Sequence, residues 1–236
     1  MRFVSPGNWV SVAAGGAIAV VPGRVQAWVL GSGVDPEDTD DEDQLRWIRQ
    51  ALDSDLPCVV DAGALALLGP RSAPTLITPH AGELARLLTR LAVAGEAEVT
   101  REDVLGRPID HAQAAADALG AVVLLKGATT LVVSPTAAGR AIRSQADAPP
   151  WLATAGAGDV LAGILGTLVA AGLDLVNAAS VGAFVHGVAA DRANPGGPVR
   201  ALAVARKVPG VVAAVLTVPL GDAASSAAGF SLKATS

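Results

Sequence analysis

With 236 residues, 51% of them apolar and 17% charged, the chain can bury one full hydrophobic core and has the composition of a folded protein. Its net charge of -5 argues against nucleic acid as a partner, because the sequence contains no basic stripe to meet the phosphates. The single cysteine, Cys58, rules out an intrachain disulfide and a cysteine zinc site, and the three histidines are too widely spaced for a metal motif, so we expect a reducing cytoplasm.

The first apolar segment, residues 10–21, weakly resembles the core of a signal peptide. It follows a single basic residue, and Pro6, Gly7 and Asn8 interrupt its approach, so secretion is the less favoured interpretation. The second apolar segment, residues 160–173, is shorter than the ~20 residues that a membrane span needs and is predicted to be a buried helix. The sequence therefore predicts no contact with a membrane.

The N-terminal half alternates apolar strands with amphipathic helices. Leu45, Ile48 and Leu52 have the spacing of one helix face, and the apolar run before Asp61 is typical of a strand. The predicted elements of this half are a strand over 24–33 that runs into a glycine turn, an acidic loop over 35–43, a helix over 42–52, a strand with a short helical turn over 57–69, a strand over 75–80 and a helix over 82–93.

The C-terminal half continues the alternation. Gly120 is expected to end a helix, and residues 126–130 are expected to form a turn between two strands. The predicted elements of this half are a helix over 111–120, two strands within 121–135, a glycine-rich turn over 154–159, the buried helix over 160–173, helices over 176–193 and 200–216, and a frayed polar tail over 221–236.

Apolar strands that alternate with helices are typical of a parallel sheet covered on both faces, so we predict an α/β fold with a mostly parallel central sheet. No linker divides the sequence, and residues 1–236 are expected to form a single domain. Ligands of such folds bind at the carboxyl ends of the strands. The turns expected at that edge are residues 31–33, Asp61, residues 78–83, residues 126–130 and residues 154–159.

The turn TAGAGD, residues 154–159, precedes the buried helix. Its glycines let the backbone approach a ligand closely, and the first N–H groups of the helix favour an anion such as a phosphate. Asp159 is better placed to accept a proton from an attacking hydroxyl than to bind that phosphate, which is the logic of phosphoryl transfer. The turn alone is a weak signal without a Walker motif, and Asp159 as a mere helix N-cap is an open alternative.

Several blocks of the sequence together resemble the ribokinase-like fold and, within it, the ADP- or ATP-dependent NAD(P)H-hydrate dehydratases. They are LITPHAGELARLL (76–88), VVLLKGATTLVV (122–133), ATAGAGDVLAGILGTLVAAGL (153–173) and FVHGVAADRA (184–193), with looser matches at 24–33 and 59–68. TPHxGE, LKG and GxGDVLAG are specific as a set, although no single block is. The resemblance implies a repair enzyme that removes water from hydrated NADH or NADPH, NAD(P)HX, while ADP gives AMP and phosphate.

The resemblance also implies roles for individual residues. Asp159 matches the catalytic base, which in the family also contacts the hydrate. The anion hole is matched by Gly156, Ala157 and Gly158, and Gly158 also matches a position beside the nucleotide. The nucleotide-binding turn is matched by Lys126, Gly127, Ala128, Thr129 and Thr130. The hydrate-binding positions are matched by Gly33 and His80. The resemblance further implies ADP or ATP as co-substrate, Mg²⁺ without a dedicated protein site, and a homo-oligomer, often a tetramer.

Simpler interpretations stand beside these roles. His80 can cap the helix that follows it, and Lys126 can be a surface lysine of a hairpin, although the position of both at the expected ligand edge favours the site. His186 lies in an alanine-rich helix and is interpreted as a core or interface histidine. Cys58 is interpreted as a small buried residue at the start of a strand.

The chain departs from the family pattern at two places. Gly63 stands where many members carry a second aspartate, which puts a metal or substrate role of that turn in doubt, although Asp61 remains. The resemblance begins part-way into the family's domain, so we expect a truncated form of a protein of roughly 280 residues. Two other functions stay open, a ribokinase-like kinase for a vitamin precursor or sugar and a non-catalytic nucleotide-binding relative. The sequence does not decide between ADP and ATP.

Overall fold

The computed structural model describes residues 9–12, 18–21, 25–35, 42–93 and 98–217, in which a two-stranded ladder precedes a six-stranded sheet. The ladder pairs β1 (Trp9–Val12) with β2 (Ile18–Val21) in antiparallel orientation. The strands of the larger sheet, in their spatial order, are β3 (Trp28–Leu30), β4 (Cys58–Val60), β5 (Thr75–Ile77), β6 (Val122–Leu125), β7 (Thr130–Val133) and β8 (Ile142–Gln145). The predicted frayed tail over 221–236 lies outside the described residues.

The central sheet is mixed. Strands β3, β4, β5 and β6 are parallel to one another, whereas β7 pairs antiparallel with both β6 and β8. The prediction of a mostly parallel sheet is confirmed for four strands. The two antiparallel pairings follow from short connections, residues 126–129 between β6 and β7 and residues 134–141 between β7 and β8. Connections of that length reverse the chain, whereas a parallel connection needs a crossover of a dozen or more residues.

Seven α-helices connect or follow the strands in the described part of the chain. They are α1 (Glu42–Leu52), α2 (Ala81–Arg90), α3 (Arg101–Gly106), α4 (Pro108–Leu119), α5 (Ala157–Ala170), α6 (Leu175–Ala193) and α7 (Ala201–Leu216). Helix α1 has the predicted bounds, and Gly120 ends α4 in the left-handed conformation with φ 64°, as predicted. None of the described helices combines the length and the apolar composition that crossing a membrane requires.

Buried side chains cover both faces of the sheet. Val60 and Ile77 face α1, α2 and α4, whereas their neighbours Val59 and Leu76 face α5 and α6. Successive residues of a strand point to opposite faces of the sheet, and helices cover both faces. Neighbouring residues must therefore both be apolar, which explains the unbroken apolar runs in the sequence. Helix α5 lies so close to β3 that a Cβ atom on Gly166 would be 2.2 Å from Cγ2 of Val29. The core therefore fixes α5, and with it the glycine turn, against the sheet.

Helix α3 and strands β8, β1 and β2 were not predicted from the sequence. Helix α3 is short and polar, and its N-terminus is closed by a capping box in which Thr100 and Asp103 each accept the other's backbone N–H. Strand β8 at the edge of the sheet is mostly exposed and carries Arg143, Ser144 and Gln145, so it has no apolar run. Strands β1 and β2 account for most of the segment over 10–21 that resembles a signal-peptide core.

Candidate active site

The carboxyl ends of β4, β5 and β6 bring distant turns of the sequence together. Beyond β4, the N–H of Asp61 donates to the carbonyl of Leu30 at 2.9 Å. Beyond β5, the backbone of His80 runs beside that of Lys126 as a parallel bridge, in which the N–H of Lys126 donates to the carbonyl of Pro79 at 2.8 Å. Four of the five turns predicted at this edge therefore lie side by side or contact one another, as the parallel strand order requires, and the fifth, residues 154–159, also packs against this group.

The turn over 31–33 packs on the backbone of Asp61. Gly31 has φ +126°, and a Cβ atom on it would lie only 1.7 Å from the carbonyl oxygen of Asp61. A side chain is thus excluded by both conformation and contact. Gly33, the predicted hydrate contact, has φ +68° and open space around it. The structure places Gly33 at the rim of this edge, and its role stays a prediction.

Asp61 is the buried centre of the edge. Its Oδ1 accepts hydrogen bonds from Nζ of Lys126 at 2.7 Å and from the hydroxyl of Thr78 at 2.8 Å, while its side chain is only 6% exposed. A carboxylate is buried in this way only with a charged or hydrogen-bonding partner. The position of Asp61 at this edge was predicted from the sequence, whereas its pairing with Lys126, 65 residues away, was not. A lone aspartate at the end of an apolar strand was the available signal.

Lys126 is connected to His80 through Glu83. The Lys126 ammonium lies 3.6 Å from Oε2 of Glu83, and the same oxygen accepts the backbone N–H of His80 at 2.7 Å. The predicted hydrate and nucleotide positions therefore adjoin each other. Lys126 lies at the β6–β7 hairpin, but it is half-buried in an ion pair, so its interpretation as a mere surface lysine is wrong.

His80 caps α2. Its Nδ1 accepts the backbone N–H groups of Gly82 at 3.1 Å and Glu83 at 3.2 Å, and the reciprocal bond from Glu83 completes a capping box. An Nδ1 that accepts two hydrogen bonds leaves the proton of the neutral ring on Nε2. Nε2 lies 3.5 Å from Oε1 of Glu83, and the His80 side chain is 54% exposed. The capping interpretation is thus confirmed, and an N–H donor remains for a ligand.

The glycine turn over 154–159 lies against the Asp61–Lys126 pair. Gly156 is the N-cap of α5 with φ +81°, and a Cβ atom on Gly158 would lie 3.4 Å from Oδ2 of Asp61 and 3.8 Å from Nζ of Lys126. The backbone N–H groups of Gly158 and Asp159 have no acceptor within the described residues. Unpaired N–H donors at a helix N-terminus beside an ammonium group form a favourable site for a phosphate.

Asp159 lies in the first turn of α5 with an exposed carboxylate. Gly156 occupies the N-cap position and no side chain caps the helix, so the alternative interpretation of Asp159 as the N-cap is wrong. Within the described chain, the Asp159 carboxylate has no hydrogen-bond or ion-pair partner. An unpaired carboxylate next to an anion site is free to accept a proton from a bound hydroxyl.

The rest of the predicted nucleotide turn is exposed at the same edge. Gly127, Ala128 and Thr129 lie between β6 and β7, and Thr130 begins β7. Their proximity to Lys126 follows from the chain, and their contact with a nucleotide stays a prediction.

His186 is buried on α6, as predicted, and lies behind the glycine turn. Burial lowers its pKa from 6.5 to about 4, while a hydrogen bond to the backbone of Ala157 acts in the opposite direction. Its Nε2 is buried and has no hydrogen-bond partner among the described residues. Cys58 is fully buried at the start of β4, as predicted, and burial raises the pKa of its thiol.

Comparison with known proteins identifies related sequences. A family model described as NAD(P)H-hydrate dehydratase matches residues 13–204. The bifunctional NAD(P)H-hydrate repair enzyme Nnr of Mycobacterium leprae is 40% identical over 198 residues, which are 80% of this chain and 38% of that protein. The ADP-dependent (S)-NAD(P)H-hydrate dehydratase of Xanthomonas campestris is 37% identical over 145 residues, which are 60% of this chain and 46% of that one. The chain thus spans less than half the length of these relatives.

Solved structures share the fold. The ADP/ATP-dependent NAD(P)H-hydrate dehydratase of Bacillus subtilis, co-crystallized with ATP and Mg²⁺, has a TM-score of 0.66 and 24% identity, over 80% of this chain and 64% of that chain. A ribokinase-like superfamily protein of Enterococcus faecalis has a TM-score of 0.61 and 19% identity, over 80% and 63% of the two chains. The predicted ribokinase-like α/β fold is confirmed.

Proposed function

Because this chain belongs to the NAD(P)H-hydrate dehydratase family, we propose that it removes water from hydrated NADH or NADPH and restores the reduced cofactor while ADP gives AMP and phosphate. One observation carries the proposal. The unpaired N–H groups of the glycine turn adjoin the Lys126 ammonium on one side, and the exposed carboxylate of Asp159 lies on the same first helical turn. An anion site beside an available base is what phosphoryl transfer to a hydroxyl requires.

The reaction follows from that arrangement in two steps. Asp159 accepts the proton of the ring hydroxyl while the hydroxyl oxygen forms a bond to the β-phosphorus of ADP. The bond between that phosphorus and the oxygen that bridges the two phosphates breaks, and AMP leaves. The ring carbon–oxygen bond then breaks, the neighbouring carbon loses a proton to solvent, and the ring double bond re-forms with release of phosphate. Phosphate is a far better leaving group than hydroxide, so a kinase step makes the dehydration possible. Stabilisation of the charge on the transferred phosphoryl group is the main contribution of such a site.

We assign the ligands to the two sides of the edge. The nucleotide lies along Lys126, Gly127, Ala128, Thr129 and Thr130, with its transferred phosphate at Gly156, Ala157 and Gly158. The nicotinamide hydrate lies towards Gly33 and His80, and the Nε2 proton of His80 is its hydrogen-bond donor. The adjoining positions of His80 and Lys126 support a single cleft for both ligands.

Mg²⁺ fits this site as a companion of the nucleotide. The described residues contain no group of three or more histidine, cysteine, aspartate or glutamate side chains that would form a protein cage for a metal. Mg²⁺ in nucleotide sites is usually held by phosphates, water and one or two carboxylates. Because Asp159 is the proposed base, its exposed carboxylate would reach the ion through a bound water rather than as a direct ligand. When bound, the ion would neutralise phosphate charge during transfer.

We also propose that the chain acts in the cytoplasm as a homo-oligomer. The single cysteine is a reduced, buried thiol, which is usual in a reducing compartment. Exposed apolar side chains on α7, among them Leu202, Val212 and Leu216, support association with further copies. A tetramer is the expected form, and its mass in solution is the test.

The test of the activity is incubation of the purified chain with hydrated NADH and either ADP or ATP. Recovery of the absorbance of reduced nicotinamide, together with release of one phosphate per NADH, is the expected result, and the two nucleotides measure the preference. Accumulation of a phosphorylated compound without NADH would indicate a kinase instead. Binding of nucleotide without any product would indicate a non-catalytic relative.

A further inference from the structure

The Asp61–Lys126 pair has the lowest side-chain exposure of the ion pairs in the described part of the chain. The Asp61 side chain is 6% exposed and that of Lys126 is 24% exposed, and their charged atoms are 2.7 Å apart. A buried ion pair is a poor way to stabilise a fold, because the loss of hydration of two charges offsets their attraction. Apolar side chains of similar volume would serve packing as well, so the pair has another purpose.

The geometry of the lysine indicates that purpose. An ammonium group has three N–H donors, and Asp61 takes one of them. Oε2 of Glu83 is 3.6 Å away, beyond hydrogen-bonding distance, and already accepts the backbone N–H of His80. Lys126 therefore keeps donors free while its charge is held in place.

The free side of Lys126 adjoins the glycine turn. A Cβ atom on Gly158 would lie 3.4 Å from Oδ2 of Asp61 and 3.8 Å from Nζ of Lys126, so the absence of a side chain there leaves space between the ion pair and the turn. The unpaired N–H groups of Gly158 and Asp159 belong to the same turn. A phosphate in this space would be contacted by the ammonium on one side and by backbone donors on the other.

We propose that Asp61 is a positioning residue that holds the Lys126 ammonium beside the glycine turn over 154–159. The ammonium and the backbone N–H groups of that turn then contact the transferred phosphate together. Asp61 acts through Lys126 and takes no proton from the substrate. The bond from the Thr78 hydroxyl fixes the orientation of the carboxylate, and the close packing of Gly31 fixes its backbone. The role in turnover rests on the proposed function, whereas the role in nucleotide binding does not require it.

The test is a double-mutant cycle with Asp61→Asn, Lys126→Met and the combination of both, measured as ADP affinity by calorimetry and as turnover of hydrated NADH. Each single variant should lose about 10- to 100-fold in ADP affinity, the worth of a hydrogen bond to a charged group. If Asp61 acts through Lys126, the ADP affinity of the double variant should equal that of Lys126→Met within about threefold, because the effects of substitutions at contacting residues do not add.

Asp117→Asn is the matched control. Asp117 also ties two elements together, because its carboxylate accepts the backbone N–H of Thr136 at 2.6 Å and the hydroxyl of Thr136 at 3.0 Å. Thr136 follows β7, which runs antiparallel to β6, so Thr136 lies at the opposite end of these strands from Lys126. Asp117→Asn should therefore leave ADP affinity and turnover unchanged.

The contrary outcomes are distinct. ADP affinity of Asp61→Asn near that of the unmutated chain, or single losses that multiply in the double variant, would overturn the positioning role. If Asp61→Asn does not fold, Thr78→Val, which removes only the second bond to the carboxylate, replaces it in the same cycle. A chain that binds ADP with this coupling but restores no NADH contradicts the proposed function and leaves the positioning role standing. A chain that binds neither nucleotide overturns both.

Discussion

Gly31 packs so tightly on Asp61 that a Cβ atom on the glycine would lie 1.7 Å from the aspartate's carbonyl oxygen. Gly31→Ala should therefore shift the backbone beneath the candidate site and lower the free energy of unfolding by roughly 2–6 kcal/mol, the sum of backbone strain and overpacking. Gly33→Ala is the control, because Gly33 has φ +68° but open space, and its loss should be about 1–2 kcal/mol. Equal losses in chemical denaturation would contradict this account of Gly31.

Gly158 is expected to matter for the ligand rather than for the fold. A Cβ atom there would be at ordinary contact distance, 3.4 Å from Asp61 and 3.8 Å from Lys126, so Gly158→Ala and the bulkier Gly158→Val should fold. Both side chains occupy the space proposed for the phosphate. Turnover should fall roughly 10²-fold or more, comparable to the loss of one oxyanion-hole donor, and ADP affinity should fall with it.

Gly163→Ala on the same helix is the matched control for Gly158. Gly163 has open space around it, so the substitution should leave ADP binding unchanged and raise stability by up to about 1 kcal/mol through helix propensity. Normal ADP affinity in a folded Gly158→Val variant would place the anion site elsewhere.

Asp159→Asn separates catalysis from stability. The carboxylate is exposed and does not cap α5, so the melting temperature should hardly change. Turnover should fall by ~10²–10⁴-fold, the usual worth of a positioned general base. Asp174→Ala should do the reverse, because Asp174 caps α6 by accepting the N–H of Asn177, and should cost about 1 kcal/mol of stability with normal turnover. Turnover of Asp159→Asn within a few-fold of the unmutated chain would end its assignment as the base.

His80 needs two substitutions, because its ring has two tasks. Asparagine can replace Nδ1 as the N-cap acceptor but offers no donor at the position of Nε2. His80→Asn should keep stability, whereas His80→Ala should lose about 1 kcal/mol with the cap. Both should weaken binding of hydrated NADH in calorimetry and leave ADP binding nearly intact. If only His80→Ala weakens hydrate binding, His80 acts by capping alone.

The sequence predicted what depends on local pattern and missed what depends on distant pairing. The bounds of α1 follow from the spacing of Leu45, Ile48 and Leu52, and the ligand edge follows from apolar strands that end in polar turns. Strand β8 has an exposed, polar sequence without periodicity, so nothing local marks it. The Asp61–Lys126 pair arises from the spatial order of β4, β5 and β6, which no local pattern of the sequence specifies.

The buried ring of His186 predicts how stability depends on pH. Burial lowers its pKa from 6.5 to about 4, so the unfolded chain binds a proton at this ring over a range in which the folded chain does not. Stability from this group is complete above about pH 6.5 and is lost as the pH falls towards about 4, with a total near 3 kcal/mol. Chemical denaturation from pH 8 to pH 4 of the unmutated chain and of His186→Leu measures it. Carboxylates titrate in both proteins, so subtracting the stability curve of His186→Leu from that of the unmutated chain isolates the contribution of the His186 ring. This difference in the free energy of unfolding should change by about 3 kcal/mol between pH 8 and pH 4. Parallel curves would show that His186 is protonated as readily in the folded chain as in the unfolded one.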